Sequence, residues 1–172
     1  MKYSTKKLTT LAFLTTIALG LYWVESLIPT LIPIPGIKLG LANIITLIVL
    51  KNFSIREAFP ILLMRIFIAT FLFGQFISLF YSLAGGIFCL LAMALIQWLL
   101  QGHFLFLTGI FGALFHNLGQ LLVALILTQS PAVITYLPFF ILSAVVTGLF
   151  TGLCAHYAQK YLGKLLLSQS IQ

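Results

Sequence analysis

Few side chains in this sequence are of types that do chemistry, and most of them lie within apolar segments. Arg65 stands near the middle of one such segment. A cation at the centre of a membrane helix costs at least about 2.5–3.5 kcal/mol on the insertion scale, so it usually faces a cavity or a partner. The position of Arg65 therefore predicts one of two roles. It either binds an anionic or carbonyl group of a ligand, or it forms a structural pair with Glu25 or with helix-terminal carbonyls.

A second polar group comes from one later segment, in which His116, Asn117 and Gln120 occupy positions i, i+1 and i+4. On a helix this spacing places His116 and Gln120 on one face, with Asn117 beside them. Small residues near the same stripe leave room for another group to approach: Gly109, Gly112 and Gly119. The pattern predicts either a polar ligand pocket or hydrogen bonds between helices.

The segment IPIPGIKLGLANI carries the densest local signal. Pro35-Gly36 favours a defined turn, Gly40 permits a close backbone approach, and Lys38 and Asn43 offer a charge and an amide. One interpretation is a lid over a ligand. The other is a turn that leads the chain back into the membrane, with Lys38 extending to the interface.

Several kinds of chemistry are excluded by what the chain lacks. It has no aspartate, and its two acidic residues are Glu25 and Glu57, so it cannot supply the carboxylate cluster that holds magnesium and diphosphate. Ser54 and Glu57 have the spacing of a capping box, which gives Glu57 a structural role. Cys89 and Cys154 form no metal motif, and His103 and His156 lie far from His116 in the predicted helices. We expect no catalytic residue, metal site or cofactor.

The composition places these residues in a lipid bilayer. Of 172 residues, 62% are hydrophobic and 6% are charged, and the mean hydropathy is +1.19, whereas soluble domains carry about 25% charged residues. Proline-rich and glycine-rich breaks divide the apolar runs. The sequence predicts one all-α integral membrane domain over 1–172, a bundle of six transmembrane helices at about 8–28, 37–50, 55–73, 76–98, 104–128 and 132–157.

The net charge of +7 would suggest nucleic acid in a soluble protein, but the positive-inside rule explains it here. If both termini are cytoplasmic, Lys38 lies outside and Arg65 within a helix. The other basic residues then all lie in the cytoplasm: Lys2, Lys6, Lys7, Lys51, Arg56, Lys160 and Lys164. This bias predicts a multi-pass protein with an even number of spans.

Small residues at four-residue spacing occur on three predicted helices. Such faces let helices approach closely, and most of them should pack the bundle: Ser78, Ser82 and Gly86 on helix four, and Ala144, Gly148 and Gly152 on helix six. The stripe of Ala12, Thr16 and Gly20 on helix one is the candidate docking face for a partner membrane protein.

The polar and glycine positions form ordered blocks: Glu25–Pro29, Pro35–Ile44, Arg65 with Phe73-Gly74, Tyr81–Gly86 and His116–Gln120. In this order they resemble the bacterial membrane family called heptaprenyl diphosphate synthase component I, or Gx transporter family, over roughly residues 8–155. This six-helix form is similar to the S components of energy-coupling-factor transporters, which bind small nutrients and associate with a transmembrane subunit and two ATPases.

The resemblance implies two competing functions. One is an S-component-like protein of the bacterial cell membrane that binds a small organic nutrient, such as a flavin or quinone precursor, for uptake. Its ligand would contact Lys38, Asn43, Arg65, His116, Asn117 and Gln120, and the stripe of Ala12, Thr16 and Gly20 would meet the coupling subunit. The alternative is a non-catalytic membrane subunit that supports a soluble prenyl diphosphate synthase in making quinone side chains.

Overall fold

The computed structural model describes residues 5–27, 38–73 and 76–170. Within these ranges the chain is all-helical, as its apolar runs predict. It forms six α-helices and a short 3₁₀ helix, Pro131–Tyr136, that leads into the last of them. The α-helices are α1 Thr5–Leu27, α2 Asn43–Asn52, α3 Ile55–Phe73, α4 Phe76–Leu99, α5 Leu105–Thr128 and α6 Leu137–Ser170.

The helices have the length and surface of a membrane protein. Among the described residues, four helical segments are long and apolar enough to cross a membrane: 5–27, 76–99, 105–128 and 131–160. Large apolar side chains cover their outer faces, and Phe71 and Trp98 are each 76% exposed. Exposed apolar surface of this extent is typical of helices that lie in lipid. Six complete spans and cytoplasmic termini stay predictions.

The second helix is shorter than the predicted 37–50. Residue 37 lies outside the described residues, as does the Pro35-Gly36 turn, but Lys38, Leu39 and Gly40 are not helical. Gly40 has φ of +84°, a left-handed conformation that interrupts a right-handed helix. α2 therefore begins at Asn43, and its ten residues span about 15 Å, half of a hydrocarbon core of about 30 Å.

The last helix also departs from the predicted 132–157. Residues 131–136 form a tighter 3₁₀ helix, because Gln129 ends α5 in a left-handed conformation with φ of +50° and Pro131 restarts the chain. α6 then continues to Ser170. The residues after 157, which the predicted helix leaves out, thus continue this helix.

Glycines bring α5 and α6 into backbone contact. A Cβ added at Gly148 would lie 2.8 Å from the carbonyl oxygen of Gly109, and one added at Gly109 would lie 2.8 Å from the amide nitrogen of Gly152. On the other side of α5, a Cβ at Gly119 would lie 2.7 Å from the carbonyl oxygen of Ala84 in α4. The room that these glycines leave is therefore filled by neighbouring helices.

The predicted packing stripes differ in burial. Ser78, Ser82 and Gly86 on α4 are buried, as is Ala144 on α6, so these faces pack the bundle as predicted. The stripe of Ala12, Thr16 and Gly20 on α1 is exposed. A Cβ added at Gly20 would meet nothing within 4 Å. This face takes no part in the packing of the described chain.

Candidate functional site

Glu25 fixes the start of α2. Its carboxylate accepts the backbone N–H of Gly40 at 2.5 Å and that of Leu41 at 2.9 Å. These two amides belong to the turn before α2, whereas the first amides of the helix, those of residues 43–45, donate to the carbonyl oxygens of residues 40–42. In a membrane interior, backbone amides without a partner are costly. A carboxylate from α1 therefore holds the turn that leads into α2.

Arg65 lies at the centre of the bundle and is only partly satisfied. It is 4% exposed, and its Nη2 donates to Asn43 Oδ1 at 3.4 Å, a long distance for a charged donor. Its Nε has no hydrogen-bond partner among the described residues. Among the described residues, the ion pair is Lys7–Glu57, at 2.8 Å. Arg65 and Glu25 do not form the structural pair that was one of the two predicted roles.

Asn43 connects Arg65 to His116. While its oxygen accepts from Arg65, its amide nitrogen lies 3.2 Å from His116 Nδ1. Asn43 Nδ2 can only donate, so His116 Nδ1 accepts and the imidazole is neutral in this arrangement. The resulting chain of side chains joins α3, α2 and α5. All three residues are at least 96% buried.

Two glycines make room for the imidazole. A Cβ added at Gly40 would lie 3.1 Å from His116 Nε2, and one added at Gly85 would lie 2.8 Å from His116 Nδ1. The close approach predicted at Gly40 is confirmed, and the group that approaches is a side chain of α5.

Lys38 enters the same region from the chain that precedes α2. Its Nζ lies 3.5 Å from the centre of the Tyr22 ring, a cation–π distance. It is buried and has no hydrogen-bond acceptor among the described residues. Its charge and that of Arg65 both act on the Glu25 carboxylate. Lys38 thus packs inward in the structure, over the face of α1.

The two remaining predicted residues are arranged differently. Asn117 donates to the carbonyl oxygen of Phe140 at 2.8 Å, so it joins α5 to the first turn of α6. Gln120 is 1% exposed, and neither atom of its amide has a hydrogen-bond partner in the described residues. The structure brings Lys38, Asn43, Arg65 and His116 together around Glu25, whereas Asn117 makes a separate helix–helix contact.

Tyr22 and Ser78 are parts of the site that the sequence reasoning missed. The Tyr22 hydroxyl lies 3.2 Å from Ser78 Oγ, which links α1 to α4. The ring also carries Lys38 on its face. A usable signal was the i, i+3 spacing of Tyr22 and Glu25, which places both on one face of α1.

Comparison with protein families gives one match, over residues 14–158, to heptaprenyl diphosphate synthase component I. The chain belongs to this family. The curated proteins and the solved structures include no match to this chain. The match covers every residue of the polar cluster and most of each described helix, including α2.

The two carboxylates of this component I chain are both engaged. Glu25 holds the backbone of residues 40 and 41. Glu57 accepts from Lys7 at 2.8 Å and from the hydroxyl of Ser54, and the Ser54 oxygen accepts the N–H of Arg56 at 3.2 Å. Glu57 is thus held within the fold, but it binds the hydroxyl of Ser54 rather than its backbone N–H, so the predicted capping box is formed only in part. Around Arg65, the Nε of Arg65 and the Nζ of Lys38 have no acceptor among the described residues.

Proposed function

We propose that this chain is a non-catalytic membrane subunit that works with a soluble prenyl diphosphate synthase. The family match over residues 14–158 carries the proposal, since the family is named as one component of such a synthase. Prenyl transfer needs carboxylates that hold magnesium and diphosphate. This chain has no aspartate, and both of its glutamates are used within the fold. The partner must then supply the catalytic residues.

The length of α6 supports a docking role. Its 34 residues span about 50 Å, which exceeds a hydrocarbon core of about 30 Å. The helix is therefore longer than one crossing of the membrane needs, and it ends at Ser170. We propose that residues 161–170 project from the cytoplasmic face and bind the soluble synthase. The subunit would hold that enzyme at the bilayer, into which a long isoprenoid product partitions.

This proposal is tested by purification of the tagged chain from its native host in mild detergent, with mass spectrometry of the retained proteins. The full chain should retain a soluble prenyl synthase. A chain in which residues 161–172 are replaced by a glycine–serine linker should lose it. As a control, Gln replacing both Lys6 and Lys51 alters basic residues at the same predicted face but leaves α6 intact, and it should retain the synthase. Equal recovery from all three chains would exclude α6 as the docking segment.

The second candidate is the S-component-like uptake protein, and the exposed stripe on α1 favours it. Ala12, Thr16 and Gly20 form a face that no described helix covers, and small residues on such a face permit a close helix–helix contact. The partners would be a coupling transmembrane subunit and two ATPases, and the ligand a small organic nutrient, for which the family label suggests a flavin or quinone precursor. No nucleic acid is involved.

The same purification separates the two candidates. Retained ATPases, lost when Gly20→Leu fills the α1 face, would establish the uptake protein. A retained synthase without ATPases, unaffected by Gly20→Leu, would establish the synthase subunit.

A further inference from the structure

We propose that Arg65 and Lys38 bind one monoanion whose negative charge is shared by two oxygens, such as a carboxylate or a phosphodiester. The inference does not depend on the synthase partner, because it concerns the charge balance inside the bundle. It is carried by the buried Arg65 and by Lys38, a partly buried residue whose Nζ is buried, since the hydrogen-bond donors of both are incompletely used, and by the charges that surround them.

The cluster has one uncompensated positive charge. Lys38 and Arg65 are cations, Glu25 is the carboxylate that both of them act on, and His116 is neutral because its Nδ1 accepts from Asn43. The other glutamate, Glu57, is bonded to Lys7 at the opposite end of α1. An unpaired charge in a low-dielectric interior is strongly unfavourable. Binding of one negative charge would neutralise the cluster.

The donor geometry requires oxygen acceptors as well as charge. Arg65 Nε and Lys38 Nζ are buried and have no acceptor in the described part of the chain. Glu25 cannot serve them fully, since its two oxygens already accept the N–H groups of Gly40 and Leu41. A water molecule supplies lone pairs without charge. An oxyanion supplies both, and two oxygens suit the planar guanidinium.

The same balance discriminates between anions. A carboxylate or a phosphodiester carries one negative charge and leaves the cluster neutral. A diphosphate carries more than one, so it would leave an excess negative charge buried beside Glu25. We therefore expect this site to reject diphosphates, including those that a prenyl synthase would use or make.

The test is thermal unfolding of the purified protein in an uncharged detergent, followed by tryptophan fluorescence. Three anions are titrated separately at constant ionic strength with chloride: acetate, pyrophosphate, and phosphatidylglycerol added to the micelles. We expect the Tm of the wild type to rise and saturate with acetate, phosphatidylglycerol or both. A response to acetate identifies a soluble carboxylate as the ligand class, and a response to the lipid alone identifies a phosphodiester headgroup.

Substitutions identify the site. Arg65→Gln and Lys38→Gln should each weaken the apparent affinity by about tenfold or more, the expected loss for one charge-assisted hydrogen bond. Lys51→Gln is the matched control. Its Nζ is bonded to the carbonyl oxygen of Gly102, in the connection that follows α4, so the response of this variant should equal that of the wild type.

A gain-of-charge variant keeps the test decisive if Arg65→Gln fails to fold. Asn43→Asp places a carboxylate where Oδ1 now lies 3.4 Å from Arg65, so it supplies the missing charge from within. This variant should unfold at a higher temperature than the wild type without added anion, and added anion should raise its Tm no further. The proposal is overturned if none of the three anions stabilises the wild type, if pyrophosphate stabilises it best, or if the response of Asn43→Asp equals that of the wild type.

Discussion

Glu25 shows how much a single side chain organises in this bundle. Its carboxylate accepts two backbone amides from the chain that leads into α2. Without them, polar N–H groups would be left in an apolar interior. The residue that the sequence offers as a partner for Arg65 instead holds the turn before a short helix.

Replacement of Glu25 should destabilise the fold at this point. Glu25→Gln removes the charge that strengthens both hydrogen bonds, with an expected loss of about 2 kcal/mol in the free energy of unfolding. Backbone amides at residues 40–44 should exchange faster with deuterium in hydrogen–deuterium exchange mass spectrometry.

Glu57→Gln is the matched control for Glu25→Gln. It makes the same chemical change at the Lys7–Glu57 pair, where the Lys7 side chain is 19% exposed. Because partly exposed pairs contribute less than buried ones, its loss should be smaller and exchange at residues 40–44 should be unchanged. Equal exchange at these residues in both variants would contradict the role of Glu25 in holding this turn.

At the scale of elements, α2 is the helix on which the site depends. Its residues 43–50 are all buried, and it contacts each of the other α-helices. Its Asn43 occupies the first helical position, shortly after the turn that Glu25 holds, so this turn also sets where Asn43 meets Arg65 and His116. The left-handed backbone at Gly40 and the close approach of His116 place the helix start inside the bundle.

The contact between α5 and α6 gives the second prediction. Gly148→Ala adds a Cβ 2.8 Å from the carbonyl oxygen of Gly109, so the helices must separate, with an expected loss of about 1–3 kcal/mol in stability. Gly20→Ala makes the same change where nothing lies within 4 Å, and it should be neutral or slightly stabilising because alanine favours helix. Stability in detergent, measured by thermal unfolding, compares the two. A neutral Gly148→Ala would show that α5 and α6 pack less closely than described.

At the scale of the whole molecule, the distribution of basic residues predicts how the bundle sits in the membrane. Lys51 and Gly102 bring the α2–α3 and α4–α5 connections together, with Lys51 Nζ 2.9 Å from the Gly102 carbonyl oxygen. Lys7 and Glu57 join the starts of α1 and α3. These contacts place Lys7 and Lys51, with the neighbouring Lys6 and Arg56, at one end of the described bundle, which the positive-inside rule assigns to the cytoplasm.

Cysteine labelling tests this orientation. In a chain whose Cys89 and Cys154 are replaced by alanine, His103→Cys lies between α4 and α5, and Ser130→Cys lies between α5 and the 3₁₀ helix. A membrane-impermeant maleimide should label Ser130→Cys in intact cells and His103→Cys only after the cells are opened. The reverse pattern would invert the topology and would move the projecting end of α6 to the outside, which would exclude a cytoplasmic synthase as its partner.

Local spacing predicted much of the fold. The bounds of α3 agree with the prediction at both ends, and those of α4 and α5 agree to one residue. The start of α2 was wrong because the left-handed backbone of Gly40 depends on contacts with α1 and α5. The predicted end of α6 was also wrong. The chain becomes more polar after Tyr157, but this change in composition does not end the helix, which continues to Ser170.

The sequence by itself determined that this is an all-helical membrane protein without the carboxylates of prenyl transfer, because composition and the spacing of apolar residues are properties of the chain alone. It also singled out Arg65 as a costly cation within a membrane helix, and His116 and Asn43 as candidate ligand contacts. Only the tertiary structure decided which of them meet. Helix packing brings residues from α2, α3 and α5 within hydrogen-bonding distance, and it gives the Glu25 carboxylate of α1 to backbone amides rather than to Arg65.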